Sequence, residues 1–278
     1  MKRRVKNAGG STKEKTLVFL GGGRITSALV AGLRRAGYKL PIVVHDRHPE
    51  KLRQLKRRYG VITEPDLQRS VAQAGILILA VRPASALDLL ASIVPFRRPF
   101  LAVSLAAGIP LAVLRETVGT RVRWARAMPS PVCRSCQGLT GIVFEKSLSP
   151  KNRRTICKIF ELVGEVVEVP EDEFDAFTVT YSASHGYHAL AALAGAAERL
   201  GLNRETAIAA AAHALADGIV AWREGDESLK ALMEEAATPG GIAATVMSTM
   251  DERGHQQHVA AALHAGMERA RNNAGKKS

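Results

Sequence analysis

Eight consecutive residues, Tyr181-Ser-Ala-Ser-His-Gly-Tyr-His188, hold two histidines, two tyrosines and two serines in a chain that is 5% aromatic. Imidazole donates a hydrogen bond or a proton near neutral pH, and phenol rings stack on or hydrogen-bond to a ring-shaped ligand. The segment has the chemistry of a substrate wall, and equally the polarity of a plain helix start. A second group has the chemistry of phosphate binding. In "LVFLGGGRITSAL" an apolar run enters Gly21-Gly22-Gly23 and then a helical pattern, the context that a dinucleotide fingerprint requires. Gly21 permits the tight turn, and Gly23 lets the backbone approach a pyrophosphate. Free amides near Arg24 and Ile25, with the positive end of the helix, meet its charge. Thr26 stands where a third glycine or alanine is usual, which affects helix–strand packing.

Asp46 closes the next apolar run, "PIVVHD", 23 residues after Gly23. A carboxylate there accepts hydrogen bonds from an adenosine ribose and repels a 2′-phosphate, which argues for NADH. Arg47, His48, Lys51 and Arg53 follow, and a guanidinium beside the ribose receives that phosphate instead, which argues for NADPH. Both cofactors, NAD and NADP, stay open. The structural alternative is that Asp46 caps the helix beginning at Pro49.

Other candidate chemistry lacks partners. Cys133-Arg-Ser-Cys136 is a single Cys-x-x-Cys; zinc needs two further ligands, and Cys157 lies on a different, helical segment. A redox role needs an activated thiolate, for which Arg134 alone is thin support. His185 and His188 are spaced by three, and His255 and His258 flank two glutamines, with no third ligand spaced to complete a shell. No metal is expected.

Two kinds of element must position these residues. From Leu17 to about Phe144, the short runs "TLVFL", "PIVVHD", "GILILAV" and "FLAVSLA" alternate with amphipathic stretches. Such runs indicate parallel strands covered on both faces. Residues 17–168 are expected to form a doubly wound α/β domain of Rossmann type. Its last strand, Glu165 to Val169, hands over to a second domain, 169–272, where alanine dominates ("HALAALAGAAERLGL", "RETAIAAAAHALADGIVAWREG"). Alanine is the best helix former and lets helices approach closely, so this half is expected to be an all-α, tightly packed bundle.

The formal net charge of +13 does not signal nucleic acid. Residues 1–16 carry six Lys or Arg against one Glu, and residues 268–278 four against one, so the termini supply eight of the thirteen charges. Basic ends around a less charged body are expected to be disordered tails (1–16 and 273–278), with no specific nucleic-acid surface. No apolar run approaches the ~20 residues that cross a bilayer, and the basic N-terminus lacks a following signal-type segment. With three cysteines and no disulfide framework, a cytoplasmic protein without membrane attachment is expected.

Six segments in order, the glycine turn, "ILAVRP" (Ile78 to Pro83), "VSLAAGI" (Val103 to Ile109), "RAMPSPV" (Arg126 to Val132), "EDEFDAFT" (Glu171 to Thr178) and "TPGGIAAT" (Thr238 to Thr245), give the chain a likeness along almost its whole length. In order and spacing it resembles the pyrroline-5-carboxylate reductases. The resemblance implies a dinucleotide-binding domain and a helical dimerisation domain, a homodimer or larger homo-oligomer through the C-terminal helices, and an active site between domains. It implies reduction of a cyclic imine acid, typically 1-pyrroline-5-carboxylate to proline, with NADPH or NADH. By position, Ala80, Val81, Arg82 and Pro83 are expected to line the cofactor, as are Ala106, Ala107 and Gly108. Met128, Pro129 and Ser130 match a Met-Pro-Asn loop beneath the nicotinamide, with Ser130 replacing the asparagine.

The substrate end departs from the family pattern. Where the family usually reads Ser-Gly-Ser-Gly-Pro-Ala-Tyr, this chain keeps Ser182 and Ser184 but has Ala183, His185, Gly186, Tyr187 and His188. The family's Pro-Gly-Gly-x-Thr, whose hydroxyl is thought to meet the imine nitrogen, appears as Pro239-Gly240-Gly241-Ile242-Ala243. Removing such a donor commonly costs a few kcal/mol of barrier. His185 is the natural replacement, with Ser184, Tyr181 and Thr238 as further catalytic candidates. Ser130, Ser182, Ser184, His185, Gly186, Tyr187, Gly240, Gly241 and Ala243 are expected to surround the substrate. The alternatives are a relative acting on a different, bulkier imine, and a catalytically silent dinucleotide-binding homologue.

Overall fold

The computed structural model describes residues 16–93 and 99–274; the tails expected to be disordered, 1–16 and 273–278, lie almost wholly outside the described residues. The apolar runs form strands because each is buried on both faces. In β1 (Leu17–Leu20), Leu17 and Phe19 enter one core while Val18 and Leu20 enter the other. The same alternation holds in β4 (Ile76–Leu79). With β2 (Ile42–His45), the two-residue β3 (Ile62–Thr63), β5 (Phe100–Ser104), β6 (Val122–Pro129), β7 (Gly138–Phe144) and β8 (Gly164–Glu168) they make an eight-stranded sheet ordered 3-2-1-4-5-6-7-8.

Strands β1 to β6 pair in parallel. Strand β7 runs antiparallel to β6, so the all-parallel expectation stops there. The connection explains it: β6 and β7 are joined by a 3-10 turn, Pro131–Ser135, too short for the crossover that a parallel pair needs. Helix α1 (Arg24–Arg35) lies on this turn. A Cβ at Gly32 would run into the carbonyl oxygen of Cys133, and Cys136, at φ +61°, directs its thiol to the Gly32 carbonyl at 3.4 Å. Burial pushes the Cys133 thiol up to about 12, so it stays protonated and packs as an apolar residue.

Among the described residues, those up to Tyr181 together with those from Gly266 onward form one compact unit, and Ser182–Ala265 a second. The last turns of α12 (His255–Ala274) belong to the first: a Cβ at Gly108 would strike the Ala270 carbonyl, and Asn273 donates to the Ala107 carbonyl at 3.3 Å. The second unit holds α8 (Ala183–Arg199), α9 (Arg204–Glu224), α10 (Leu229–Ala236) and α11 (Ile242–Glu252). Asn203 and Ser228 cap α9 and α10, each accepting the amide three residues on, from Thr206 and Ala231. The tight bundle expected from the alanines does not form within one chain. Among the described residues of this unit the buried hydrophobic side chains are Ala194, Ala207 and Ala211, while Leu200, Ile219, Trp222 and Ile242 face solvent. No helix among the described residues is long and apolar enough to cross a membrane.

Candidate active site

The sheet order reverses between β1 and β4, which opens a crevice beyond their carboxyl ends. A cleft of about 460 Å³ occupies it. The chain turns there at Gly21, whose φ of +108° and whose approach to Ala80 leave no room for a side chain; a Cβ would sit 2.6 Å from the Ala80 carbonyl oxygen. At Gly23, by contrast, a Cβ would meet nothing within 4 Å, so the backbone there faces open space. Gly23 begins α1 without a side-chain cap, and the first turn carries no acid. These amides suit an anion.

Thr26 is fully buried and donates its hydroxyl to the Gly21 carbonyl at 2.6 Å. The departure from a third glycine thus ties the helix to the turn.

Asp46 stands at the end of β2. Its Oδ2 accepts the Gly22 amide at 2.7 Å, and its Oδ1 accepts the His48 amide at 2.8 Å and lies 2.8 Å from that ring's Nδ1. Lys51 Nζ is 3.6 Å from Oδ2. Burial alone would raise the Asp46 carboxyl, but these donors and the Lys51 ammonium outweigh it and hold the group below its ordinary value. His48 itself, not Asp46, occupies the N-cap of α2 (Pro49–Tyr59). Asp46 is therefore a clasp between the glycine turn and the β2–α2 turn.

Of the residues expected at the cofactor, the cleft brings together Gly21, Gly23, Asp46, Arg47, Ala80, Val81 and Arg82. His45, His48, Lys51, Ser85, Asp88 and Leu89 also line it; for Ser85, Asp88 and Leu89 the signal was available, because α4 (Pro83–Ala91) starts at the Arg82-Pro83 step. Arg24 faces a separate pocket beside the turn. Ile25, Pro83, Ala106, Ala107, Gly108, Met128 and Pro129 are not in the cleft's lining. Ala106 is buried and Gly108 is covered by Ala270. Met128 and Pro129 end β6, paired with Gly141 and Thr140 of β7, so they belong to a strand and not a loop. Ser130 is nearly buried and turns its hydroxyl to the Val132 amide at 3.2 Å.

Arg126, two residues before Met128, is 1% exposed. Its Nη1 donates to Glu171 at 3.0 Å and its Nη2 to Asp175 at 2.6 Å, and the guanidinium lies 4.5 Å over the Phe174 ring. Glu171 also accepts the Leu111 amide at the start of α5 (Leu111–Val118) at 2.9 Å. This clamp ties β6 to α7 (Phe174–Thr180). The signal for it was Arg126 among the apolar residues of β6, because a buried arginine requires partner acids.

In the first unit Tyr181 follows α7, and its hydroxyl accepts the Leu139 amide at 2.8 Å. In the second, Ser182 caps α8: its hydroxyl accepts the Ser184 amide at 3.4 Å and lies 2.7 Å from the Ser184 hydroxyl. His185, Gly186, Tyr187 and His188 follow on the exposed first turns. Gly241 starts α11, placing Ala243 in its first turn beside the exposed Gly240. The neighbouring hydroxyls are engaged by the helix backbone, Thr245 with the Gly241 carbonyl at 3.2 Å and Thr238 with Glu235 at 3.5 Å. No three metal-ligating side chains cluster among the described residues.

Comparison with known proteins gives two matching family models: "NADP oxidoreductase coenzyme F420-dependent" over residues 16–108 and "Pyrroline-5-carboxylate reductase dimerisation" over residues 171–273. A pyrroline-5-carboxylate reductase of Corynebacterium melassecola is 27% identical, over 86% of this chain and 91% of that one. The solved pyrroline-5-carboxylate reductase of Coxiella burnetii superposes with a TM-score of 0.82 at 25% identity, covering 94% of this chain and 98% of that one. The pyrroline carboxylate reductase of Plasmodium falciparum, solved with NADP bound, superposes with a TM-score of 0.85 at 21% identity, covering 95% and 99%.

Proposed function

This chain belongs to the pyrroline-5-carboxylate reductase family, and on that premise we propose that it reduces a cyclic imine with NAD(P)H, in the first instance 1-pyrroline-5-carboxylate to L-proline. The observation that carries the reading is the cleft at the switch point of the sheet, where the Gly21 turn and the uncapped start of α1 offer amides to a pyrophosphate. The NADP held by the Plasmodium falciparum relative supports a dinucleotide of that kind. The cleft carries Arg47, Lys51 and Arg82, suited to a 2′-phosphate, and Asp46, suited to a ribose diol, so either dinucleotide has partners.

When bound, the dinucleotide supplies a hydride to the carbon of the C=N bond, and the ring nitrogen takes a proton. The chain's own residues orient the imine and supply that proton. In this reading the amides at the start of α8, with Ser182 and Ser184, meet the substrate carboxylate. His185 donates to the ring nitrogen in place of the hydroxyl absent at Ala243. Two copies of the chain associate through the exposed apolar faces of the helical unit, in keeping with the dimerisation family matched there.

A second reading, reduction of a bulkier imine, is favoured by the same substitution together with Tyr187, which is 66% exposed beside His185. Steady-state turnover of 1-pyrroline-5-carboxylate and of larger cyclic imines, with NADPH and with NADH, separates the two. The first reading expects family-type turnover of pyrroline-5-carboxylate, reduced about a hundredfold by His185→Ala. Turnover confined to larger imines leaves the second, and unchanged turnover in the variant removes His185 from the mechanism.

A further inference from the structure

Beside the glycine turn, on the side of α2, lies a separate pocket of about 260 Å³. Arg24 of α1, Lys51 and Arg58 of α2, and Arg134 of the 3-10 turn converge on it, and no acidic residue is among its lining. Lys51 shares its charge with Asp46 at 3.6 Å. Arg58 lies over the Tyr59 ring at 5.6 Å, and neither Arg24, Arg58 nor Arg134 pairs with a carboxylate among the described residues. The Ser27 and Tyr59 hydroxyls, 3.3 Å apart, add neutral donors at the wall, and Gly23, the residue before α1, also lines it. Arg24, Arg58 and Arg134, brought together without a counter-charge among the described residues, repel one another, and an anion placed among them relieves that repulsion.

We infer that this pocket binds a phosphate dianion, at a site distinct from the pyrophosphate position in the neighbouring cleft. The pocket and the cleft share Gly23 and Lys51, so two sources supply the same chemistry: the 2′-phosphate of NADP, or the phosphate of a separate small molecule. The inference adjoins the dinucleotide reading but rests on its own side chains, and phosphate binding to the protein alone tests it whatever the fate of that reading.

The experiment is calorimetric titration of inorganic phosphate into the wild-type protein and into Arg58→Ala and Arg134→Ala variants, whose side chains are exposed. Circular dichroism checks that the variants are folded. Each substitution is expected to weaken phosphate about tenfold, the effect of one lost charge-assisted contact. Repeating the titration with saturating NADH and with saturating NADPH identifies the source. Loss of the event with NADPH alone assigns the pocket to the 2′-phosphate, and persistence with both assigns it to a separate phosphorylated ligand. Absence of a phosphate event sensitive to these variants overturns the inference. So does loss of the event to NADH as well as NADPH, because the pocket is then the pyrophosphate's own.

Discussion

Two side chains near the glycine turn act mainly on the turn itself. Thr26 reads as a blemish in a glycine motif, yet its buried hydroxyl satisfies the Gly21 carbonyl. Thr26→Val keeps the volume and removes the donor, and is expected to lower stability by about 1–3 kcal/mol, read from urea unfolding; an unchanged midpoint would show that another donor takes over. Asp46 was legible as an acid at a strand end, but its engagement with Gly22 was not, because that contact arises when two turns separated by a helix and a strand meet. Its folded value lies below the ordinary 3.8. Its stabilising contribution is therefore fully present above that ordinary value and is lost as pH falls through the folded one. Unfolding of Asp46→Asn, measured from neutral pH downward, should start from lower stability and decline less steeply in that acid window than the wild type.

At the scale of elements, the runs that form β1, β2, β4 and β5 announced themselves, since burial on both faces demands uninterrupted branched side chains. The direction of β7 did not, because composition fixes a strand's burial while the length of its connection fixes its direction. The Arg126 clamp shows the same limit: type and motif were visible, and the meeting of β6 with α7 needed the fold. Arg126→Leu leaves Glu171 and Asp175 without their cation in a partly buried place. A loss of about 2–3 kcal/mol is expected, below the cost for a fully buried pair because Glu171 keeps contact with water. Retained thermal stability in this variant would mean that the two acids re-solvate freely.

At the scale of the whole molecule, the first unit carries its own cores, whereas the second leaves its large apolar side chains outside. Alanine-rich sequence announced helices and gave no sign of which faces would lack a partner, because small residues serve a core and an interface alike. The dimerisation family matched over residues 171–273 supplies the missing context. Trp222→Arg places a charge on an exposed apolar face and is expected to lower the mass measured by light scattering without loss of helicity; an unchanged mass would place the contact on another face. The proposed reaction requires that hydride from the dinucleotide reach an imine carbon on this protein. Incubating wild-type protein with 1-pyrroline-5-carboxylate and NADPH deuterated at the transferable position tests it by mass spectrometry. The expected product is proline carrying one deuterium at the former imine carbon, formed in step with NADPH oxidation. Tight NADPH binding with no deuterium in proline, and none in the products of larger cyclic imines, would contradict it.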